Sequence, residues 1–176
     1  MTLLLSVAML WACSKNLYQS QNGQDTVIKT DNRELEKFME QGFEKPLNTS
    51  RTSASEIIRT ARKYLGVPHC MGGTTFNCMD CSGLLFTTFG EHGIEVPRSS
   101  EEQARYGRYI GNRSELQRGD LVFFIRSYKT SKYITHSGIY LGNNEFIHAS
   151  SSQGVTTTSL SNSWWSERFI FGTRIF

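Results

Sequence analysis

Apolar residues recur with helical spacing in two stretches of the central part of the chain. The first stretch begins at Ser53 and Glu56, which form a capping-box signature, and ends at Gly66. The second follows Cys81 and extends to about His92. The apolar positions of the two stretches are Ile57, Ile58, Ala61, Tyr64 and Leu65, and then Leu84, Leu85, Thr88 and Phe89. The pattern therefore predicts two buried helices joined by a Gly- and Pro-containing loop.

The second half of the chain has the pattern of β-strands. Residues 120–126 form a continuous apolar run typical of a buried strand. Residues 134–141 and 145–149 flank a turn at Gly142-Asn143-Asn144, which predicts a hairpin. Residues 154–158 and 169–176 complete the set. Helices followed by antiparallel strands indicate an α+β domain, which we place at residues 52–176.

The first thirteen residues form an apolar run of signal-peptide length that ends at Leu10-Trp11-Ala12-Cys13. This ending resembles a bacterial lipobox, although no Lys or Arg precedes the run and Trp11 stands where a small residue is usual. The resemblance implies that the signal (residues 1–13) is cut and that Cys13 carries a lipid. The protein would then be anchored to a bacterial membrane and face outside the cytoplasm. A plain secretory signal or a buried segment is the alternative.

Residues 14–51 are interpreted as a tether between that segment and the domain. Residues 14–32 are rich in Gln, Asn, Ser and Thr and lack periodicity. Residues 33–40 could form a short helix, and Gly42 and Pro46 then interrupt the chain. Such a tether would let an anchored domain reach a substrate away from the membrane.

The composition argues against a nucleic-acid-binding protein and against a disulfide-rich scaffold. The formal net charge is +3 without a block of Lys or Arg, so nucleic-acid binding has little support. The four cysteines are too few and too unevenly spread for a disulfide scaffold. We expect a monomer without a cofactor or a metal.

Cys81 is the first candidate for catalysis. Asp80 is a good N-cap, so the thiol lies on the first turn of the predicted helix. The positive end of the helix dipole favours a thiolate there. A nucleophilic cysteine also needs a base, and the base needs an orienting partner.

His136 and His148 are candidates for that base and partner because they lie on the two strands of the predicted hairpin. Their distances from the turn differ, so they are not directly paired, but the twist of a hairpin can bring them into contact. Spacing leaves two interpretations open: a Cys81–His136–His148 chain, or two independent, half-exposed histidines.

The remaining cysteines and tryptophans allow further interpretations. Cys70, Cys78 and Cys81 with His69 or His92 could suggest zinc, but the spacing lacks a second paired half-site. Cys70 and Cys78 could instead form a disulfide that closes the Gly72-Gly73 loop. Trp164-Trp165 could stack on sugars, although core or a groove wall is the more common role.

Seven segments, in this order and spacing, resemble the NlpC-type (NlpC/p60) cell-wall peptidases, which are papain-like cysteine enzymes of bacteria. The likeness covers roughly residues 54–176 and is greatest to the small lipoprotein members. The segments are Gly66-Val67-Pro68, Gly72-Gly73, Asp80-Cys81-Ser82-Gly83-Leu84, Val96-Pro97-Arg98-Ser99, Arg118-Gly119-Asp120-Leu121-Val122-Phe123-Phe124, His136-Ser137-Gly138-Ile139-Tyr140-Leu141-Gly142 and Phe146-Ile147-His148-Ala149-Ser150.

The resemblance implies a papain-like α+β fold with Cys81 at the start of a helix that packs against a central antiparallel sheet. Cys81 would be the nucleophile, His136 the general base and His148 the residue that orients His136. The substrate would be the stem peptide of peptidoglycan, cut between γ-D-glutamate and a diamino acid through a thioester. A catalytically weak, tethered wall-binding module on the same fold is the alternative.

The resemblance also implies the residues that bind the substrate. The backbone N–H of Cys81 would hold the oxyanion, and Asp80, Ser82, Arg98 and Ser99 would contact the stem peptide. Asp80 would suit its free amine. The family usually has a Tyr at the position of His69 that donates to the oxyanion. Either His69 replaces that Tyr, with a more pH-sensitive rate, or the site is retuned or weakened.

Overall fold

Four helices precede the six-stranded sheet in the described part of the chain. The computed structural model describes residues 32–49 and 51–176. The helices are α1 (Asn32–Glu40), α2 (Ala54–Arg62), α3 (Cys81–Gly90), α4 (Ser100–Gln103) and α5 (Ser163–Ser166), with a 3₁₀ turn at Arg113–Glu115. None of the described helices is long and apolar enough to cross a bilayer.

A six-stranded sheet forms the other half of the fold, and all neighbouring strands in it are antiparallel. Its order is β3-β8-β4-β5-β6-β7. These strands are β3 (Arg108–Ile110), β4 (Leu121–Phe124), β5 (His136–Gly142), β6 (Glu145–Ser150), β7 (Gly154–Ser159) and β8 (Phe169–Arg174). A separate small hairpin pairs β1 (Thr74–Thr75) with β2 (Cys78–Met79). The predicted α+β class is confirmed.

The β5–β6 hairpin has the turn that the sequence predicts. Asn143 and Asn144 have φ values of 51° and 63°, a left-handed conformation that Asn tolerates better than most residues. The register pairs Ile139 with Ile147, and it shifts between Tyr140 and Gly142. The strands of this hairpin carry His136 and His148.

Helix α3 packs against the centre of the sheet. Its Leu84, Leu85 and Phe89 are fully buried in the same core as Phe123 of β4 and Phe171 of β8. Ser53 caps α2 with the expected capping box, in which Glu56 bonds back to the Ser53 backbone. The start of α3 is therefore fixed against a rigid sheet, which suits a residue that has to be placed accurately.

Helix α1 also packs against this core. Leu35 and Phe38 are buried in it, and the Arg105 guanidinium donates to the carbonyls of Phe38 and Gly42 at 2.9 and 3.0 Å. Part of the stretch interpreted as a tether, residues 32–49, is thus packed on the domain because its helix buries an apolar face. The proposed signal segment with Cys13, and the linker up to residue 31, lie outside the described residues.

Candidate active site

Cys81 is the first residue of α3, as predicted. Asp80 is the N-cap, and its Oδ1 accepts from the backbone N–H of Gly83 at 2.6 Å. Gly83 is required here, because a Cβ would lie 2.0 Å from the carbonyl oxygen of Gly73. The loop that carries Gly72 and Gly73 therefore contacts the backbone at the helix start directly.

The thiol of Cys81 is buried, with 9% of the residue exposed. Burial raises the pKa of Cys81, and the charge of Asp80 adds to this, whereas hydrogen bonding with the Ser100 side chain and with the Ser137 backbone acts in the opposite direction. The helix start alone suggested a thiolate. Desolvation outweighs the hydrogen bonds, so the neutral thiol is the resting form.

His136 and His148 are joined directly. The Nε2 atom of His136 lies 2.8 Å from Nδ1 of His148, and Nε2 of His148 lies 3.0 Å from Oγ1 of Thr158 on β7. Both imidazoles are buried, at 6% and 0% exposure. The alternative of two independent, half-exposed histidines is wrong. The glycine at position 138 leaves room, since a Cβ there would approach His148 Cβ to 3.3 Å.

Aromatic rings enclose this histidine pair. The Trp165 ring lies 4.6 Å from His136 and 4.7 Å from His148, and Phe146 stacks on His148 at 4.5 Å. Burial lowers the pKa of His136 well below its usual value, and the charges of His148 and His69 add to this. Burial lowers the pKa of His148 to about 3. Both rings are therefore neutral at neutral pH.

A cleft of about 770 Å³ opens over Cys81 and His136. The predicted substrate-binding residues all line it. They are His69, Asp80, Ser82, Arg98 and Ser99. Trp164 and Trp165 line the cleft as well, so these two form a groove wall, and Trp164 is half exposed. Tyr128 also lines the cleft, and the sequence did not single it out.

Asp80 forms an ion pair with Arg98 that the sequence did not indicate. The two guanidinium Nη atoms each donate to one Asp80 oxygen at 2.9 Å, and Gly72 N–H donates to Oδ2 at 2.7 Å. Burial would raise the pKa of Asp80, but the bonds from Arg98, Gly83 and Gly72 together lower it. The carboxylate is fully engaged, so direct binding of a substrate amine by Asp80 requires one of these bonds to exchange. Arg98 stays 37% exposed toward the cleft.

Cys70 and Cys78 form a disulfide that closes the loop beside the site. His69 precedes Cys70 and forms a backbone bridge with Met79, next to Asp80. The zinc interpretation fails because two of its three thiols are bonded to each other. His92 Nε2 is itself 2.8 Å from Thr60 Oγ1 on α2. In the described part of the chain, no cluster of side chains could hold a metal ion.

A model of the NlpC/P60 family matches residues 66–174. The chain belongs to this family. A probable endopeptidase NlpC homolog of Haemophilus influenzae is 42% identical over 80% of this chain and 75% of that protein. The murein DD-endopeptidase MepS/murein LD-carboxypeptidase of Escherichia coli is 41% identical over 69% of this chain and 62% of that protein.

Solved structures of the family have the same fold. An NlpC/P60 family protein from Bacillus cereus superimposes with a TM-score of 0.65 at 30% identity. The match covers 72% of this chain and 41% of that protein, so the likeness concerns one part of a longer chain. The predicted papain-like fold, with the helix that carries Cys81 packed on an antiparallel sheet, is thereby confirmed.

Proposed function

We propose that this NlpC/P60 protein is a cysteine endopeptidase that cuts the stem peptide of peptidoglycan between γ-D-glutamate and the diamino acid. The observation that carries the proposal is the buried His136–His148 pair, in which His136 lines the same cleft as the Cys81 thiol and His148 lies behind it. A thiol and a base in one cleft, with an orienting group bonded to the base, are the parts that acyl transfer through a thioester requires.

The bond to His148 occupies Nε2 of His136 and leaves Nδ1 as the basic nitrogen. For this role, His136 holds its proton on Nε2 and donates to Nδ1 of His148. His148 then holds its own proton on Nε2 and donates to Thr158. The other three ring nitrogens of the pair each have one partner, and the orientation of His136 is fixed without a charge.

The reaction proceeds in two halves. The Cys81 proton moves to Nδ1 of His136 as the sulfur attacks the γ-carbonyl carbon, and the carbonyl electron pair moves to oxygen. Collapse expels the diamino acid's amine, which takes the proton from His136 and leaves a thioester. Water then gives a proton to His136 and attacks the thioester, and the expelled Cys81 sulfur takes that proton back.

Two groups would donate to the oxyanion in this proposal. Cys81 opens α3, so its backbone N–H is one of those that the helix does not use. His69 lines the cleft next to Cys81 and would supply the second donor in place of the usual Tyr. His69 and His136 line the same cleft.

The cleft also favours an anionic residue on the acyl side. A γ-linked D-glutamate has a free α-carboxylate beside the scissile carbonyl, and the half-exposed Arg98 guanidinium can pair with it. Ser82 and Ser99 line the same region and offer hydroxyl groups. The E. coli relative is named a DD-endopeptidase, so a cross-link between D-centres is the second bond to consider.

The test is cleavage of defined peptides by the full chain. Mass spectrometry would follow L-Ala-γ-D-Glu-diaminopimelate, its α-linked L-glutamyl counterpart and a cross-linked peptide dimer. Release of L-Ala-D-Glu from the first alone supports the proposal, and Cys81→Ala is the control that should be folded and inactive. Cleavage of the cross-linked dimer alone would indicate that the enzyme cuts the D,D cross-link and not the γ-D-glutamyl bond. Binding without any cleavage would favour the weak wall-binding module.

The location of the enzyme is part of the proposal. Cys13 would carry a lipid that anchors the enzyme as a monomer to a membrane and keeps it outside the cytoplasm. Membrane fractionation and mass spectrometry of the mature N-terminus check this. Cys13→Ala should release the protein from the membrane fraction. Retention of that variant in the membrane would contradict a lipid anchor on Cys13.

A further inference from the structure

A chain of buried hydrogen bonds leads away from the Cys81 thiol on the side of Ser100. Cys81 Sγ lies 3.4 Å from Oγ of Ser100, which lies 3.2 Å from Oγ of Ser137. Oγ of Ser137 lies 3.2 Å from Oε1 of Gln103. Ser100, Ser137 and Gln103 are all buried. Neither the sequence patterns nor the mechanism above uses these three side chains.

Gln103 fixes the direction of this chain. Its Nε2 lies 2.9 Å from the carbonyl oxygen of Ser82 and 2.8 Å from that of Pro97. Both partners are acceptors only, so the atom between them has to be the amide nitrogen. The other amide atom, Oε1, is therefore an acceptor, and Ser137 has to donate to it.

The number of hydroxyl hydrogens in the chain then determines which group donates in each of the remaining bonds. A serine hydroxyl has one hydrogen, and that of Ser137 is used on Gln103. Ser100 therefore has to donate to Ser137. Its own hydrogen is then also used, so Ser100 can only accept from Cys81. The S–H bond of Cys81 points to Ser100. A thiolate formed without rearrangement would keep the backbone hydrogen bond from Ser137 but would face, on the Ser100 side, an oxygen with no hydrogen to donate.

We propose that Ser100 and Ser137 are positioning residues that control when Cys81 loses its proton. At rest, the chain anchored on Gln103 holds the sulfur as a thiol. When the proton moves to His136, the Ser100 hydroxyl turns from Ser137 to the sulfur and donates to the thiolate. Ser137 thus competes with the thiolate for one hydrogen. This inference rests on the proposed role of Cys81 as the nucleophile.

Other titratable groups lie around the thiol and stay in place when the serines are changed. Asp80, directly before Cys81, raises its pKa. Tyr128 lines the same cleft from the loop after β4. His136 faces the same cleft from β5, and His69 acts on His136. Variants at Ser100 and Ser137 therefore isolate the chain from this background.

The two serines have opposite predicted effects on thiol reactivity. The experiment measures the rate at which iodoacetamide alkylates Cys81 in the full chain without substrate, with the modified peptide identified by mass spectrometry. Below the thiol pKa, Ser137→Ala should raise the rate about three- to tenfold, because Ser100 becomes free to donate to the thiolate. Ser100→Ala should lower it by a similar factor, because the thiolate loses that donor.

Two further variants serve as controls. Ser100→Thr keeps a hydroxyl and should preserve the wild-type rate profile. Thr88→Val removes another buried hydroxyl from the Cys81 helix, one without a hydrogen-bond partner among the described residues, and should leave the profile unchanged. Circular dichroism confirms that each variant is folded.

The outcomes separate this inference from the proposed function. Opposite shifts from Ser137→Ala and Ser100→Ala support the directional chain, and shifts of one sign, or no shift, overturn it. Alkylation needs no peptide cleavage. Opposite shifts in a protein that cuts no stem peptide would contradict the proposed substrate alone, whereas cleavage with unshifted profiles would contradict the chain alone.

Discussion

The Nε2 atom of His136 lies 2.8 Å from the Nδ1 atom of His148, and each imidazole is held by a different strand of one hairpin. This bond joins strands β5 and β6 at His136, the general base of the proposed mechanism. It ties the orientation of the His136 ring to the register of the sheet. It also gives His148 a role that requires no direct contact with the substrate.

His148→Ala should therefore lower kcat by about 10²- to 10⁴-fold while KM changes little, because His136 loses its orienting acceptor. Steady-state kinetics on the stem peptide measure both constants. His148→Asn retains an acceptor and should recover part of the rate. An unchanged kcat in His148→Ala would show that His136 is held by other contacts.

Acidification should destabilise the fold before most carboxylates titrate. Folding lowers the pKa of both histidines from about 6.5, and that of His148 falls to about 3. At pH values between the unfolded and the folded pKa, the unfolded chain therefore binds more protons than the folded one. Stability is therefore full above pH 6.5 and falls as the pH drops, by up to about 1.4 kcal/mol per pH unit for each histidine. Asp80, whose folded pKa is lowered, adds to this loss only at more acidic pH.

Urea unfolding at a series of pH values measures this slope. His148→Asn provides the comparison because it removes one of the two titrating groups and keeps a polar side chain. Its stability should depend less steeply on pH than that of the wild type between pH 6.5 and 4. Equal slopes in the two proteins would mean that His148 does not titrate with unfolding.

Trp165→Ala should make the base easier to protonate. The Trp165 ring covers both histidines, and its removal admits water and raises the pKa of His136 toward its ordinary value. The acid limb of kcat/KM should then move to higher pH. Trp165→Phe keeps an aromatic cover and should shift it less, while Trp164→Ala, at the exposed neighbour, should not shift it. If the acid limb of kcat/KM does not move in Trp165→Ala, the Trp165 ring does not control the pKa of His136.

Loss of the Cys70–Cys78 disulfide should destabilise the domain and slow the reaction. In the chain-entropy model, a loop of this size contributes about 2 to 3 kcal/mol. The Cys70→Ser, Cys78→Ser double variant should lose that amount in urea unfolding. Because His69 directly precedes Cys70, kcat should fall more than KM rises. A double variant with wild-type stability and wild-type kcat would show that the Cys70–Cys78 disulfide contributes to neither property.

Variants of His69 test the oxyanion hypothesis. His69→Ala should lower kcat by about 10²- to 10³-fold if this side chain donates to the oxyanion. His69→Tyr restores the usual donor of the family and should keep most of the rate with a weaker dependence on pH near neutrality. A rate for His69→Ala equal to that of the wild type would leave the Cys81 backbone N–H as the only donor of the pair.

Local signals were sufficient for most elements of the fold. The capping box at Ser53, the N-cap at Asp80 and the Asn143-Asn144 turn each predicted a boundary that the structure has. The short strand β3 and helix α5 were not predicted, because segments of three or four residues have no periodicity to detect.

The sequence identified the main residues of the site, but not the hydrogen bonds and ion pairs that connect them. The motifs around Cys81, His136 and His148 identified residues that the fold brings together. The Asp80–Arg98 ion pair and the Ser100–Ser137 contact join residues far apart in sequence, so no spacing rule could indicate them. Burial of Cys81 likewise depends on the packed sheet, which explains why the helix start alone suggested the opposite protonation state.

Cys70, Cys78 and Cys81 lie in one short stretch of the chain, yet the mature protein needs the first two joined and the third reduced. Sequence distance alone would favour a bond between Cys78 and Cys81, and that isomer would have neither a nucleophile nor a closed loop. The packed state selects the productive isomer because β2 holds Cys78 beside Cys70 while α3 buries Cys81. Oxidation to this isomer leaves Cys81 as the reduced thiol that the proposed mechanism needs, so a Cys78–Cys81 isomer in a preparation would lower its specific activity.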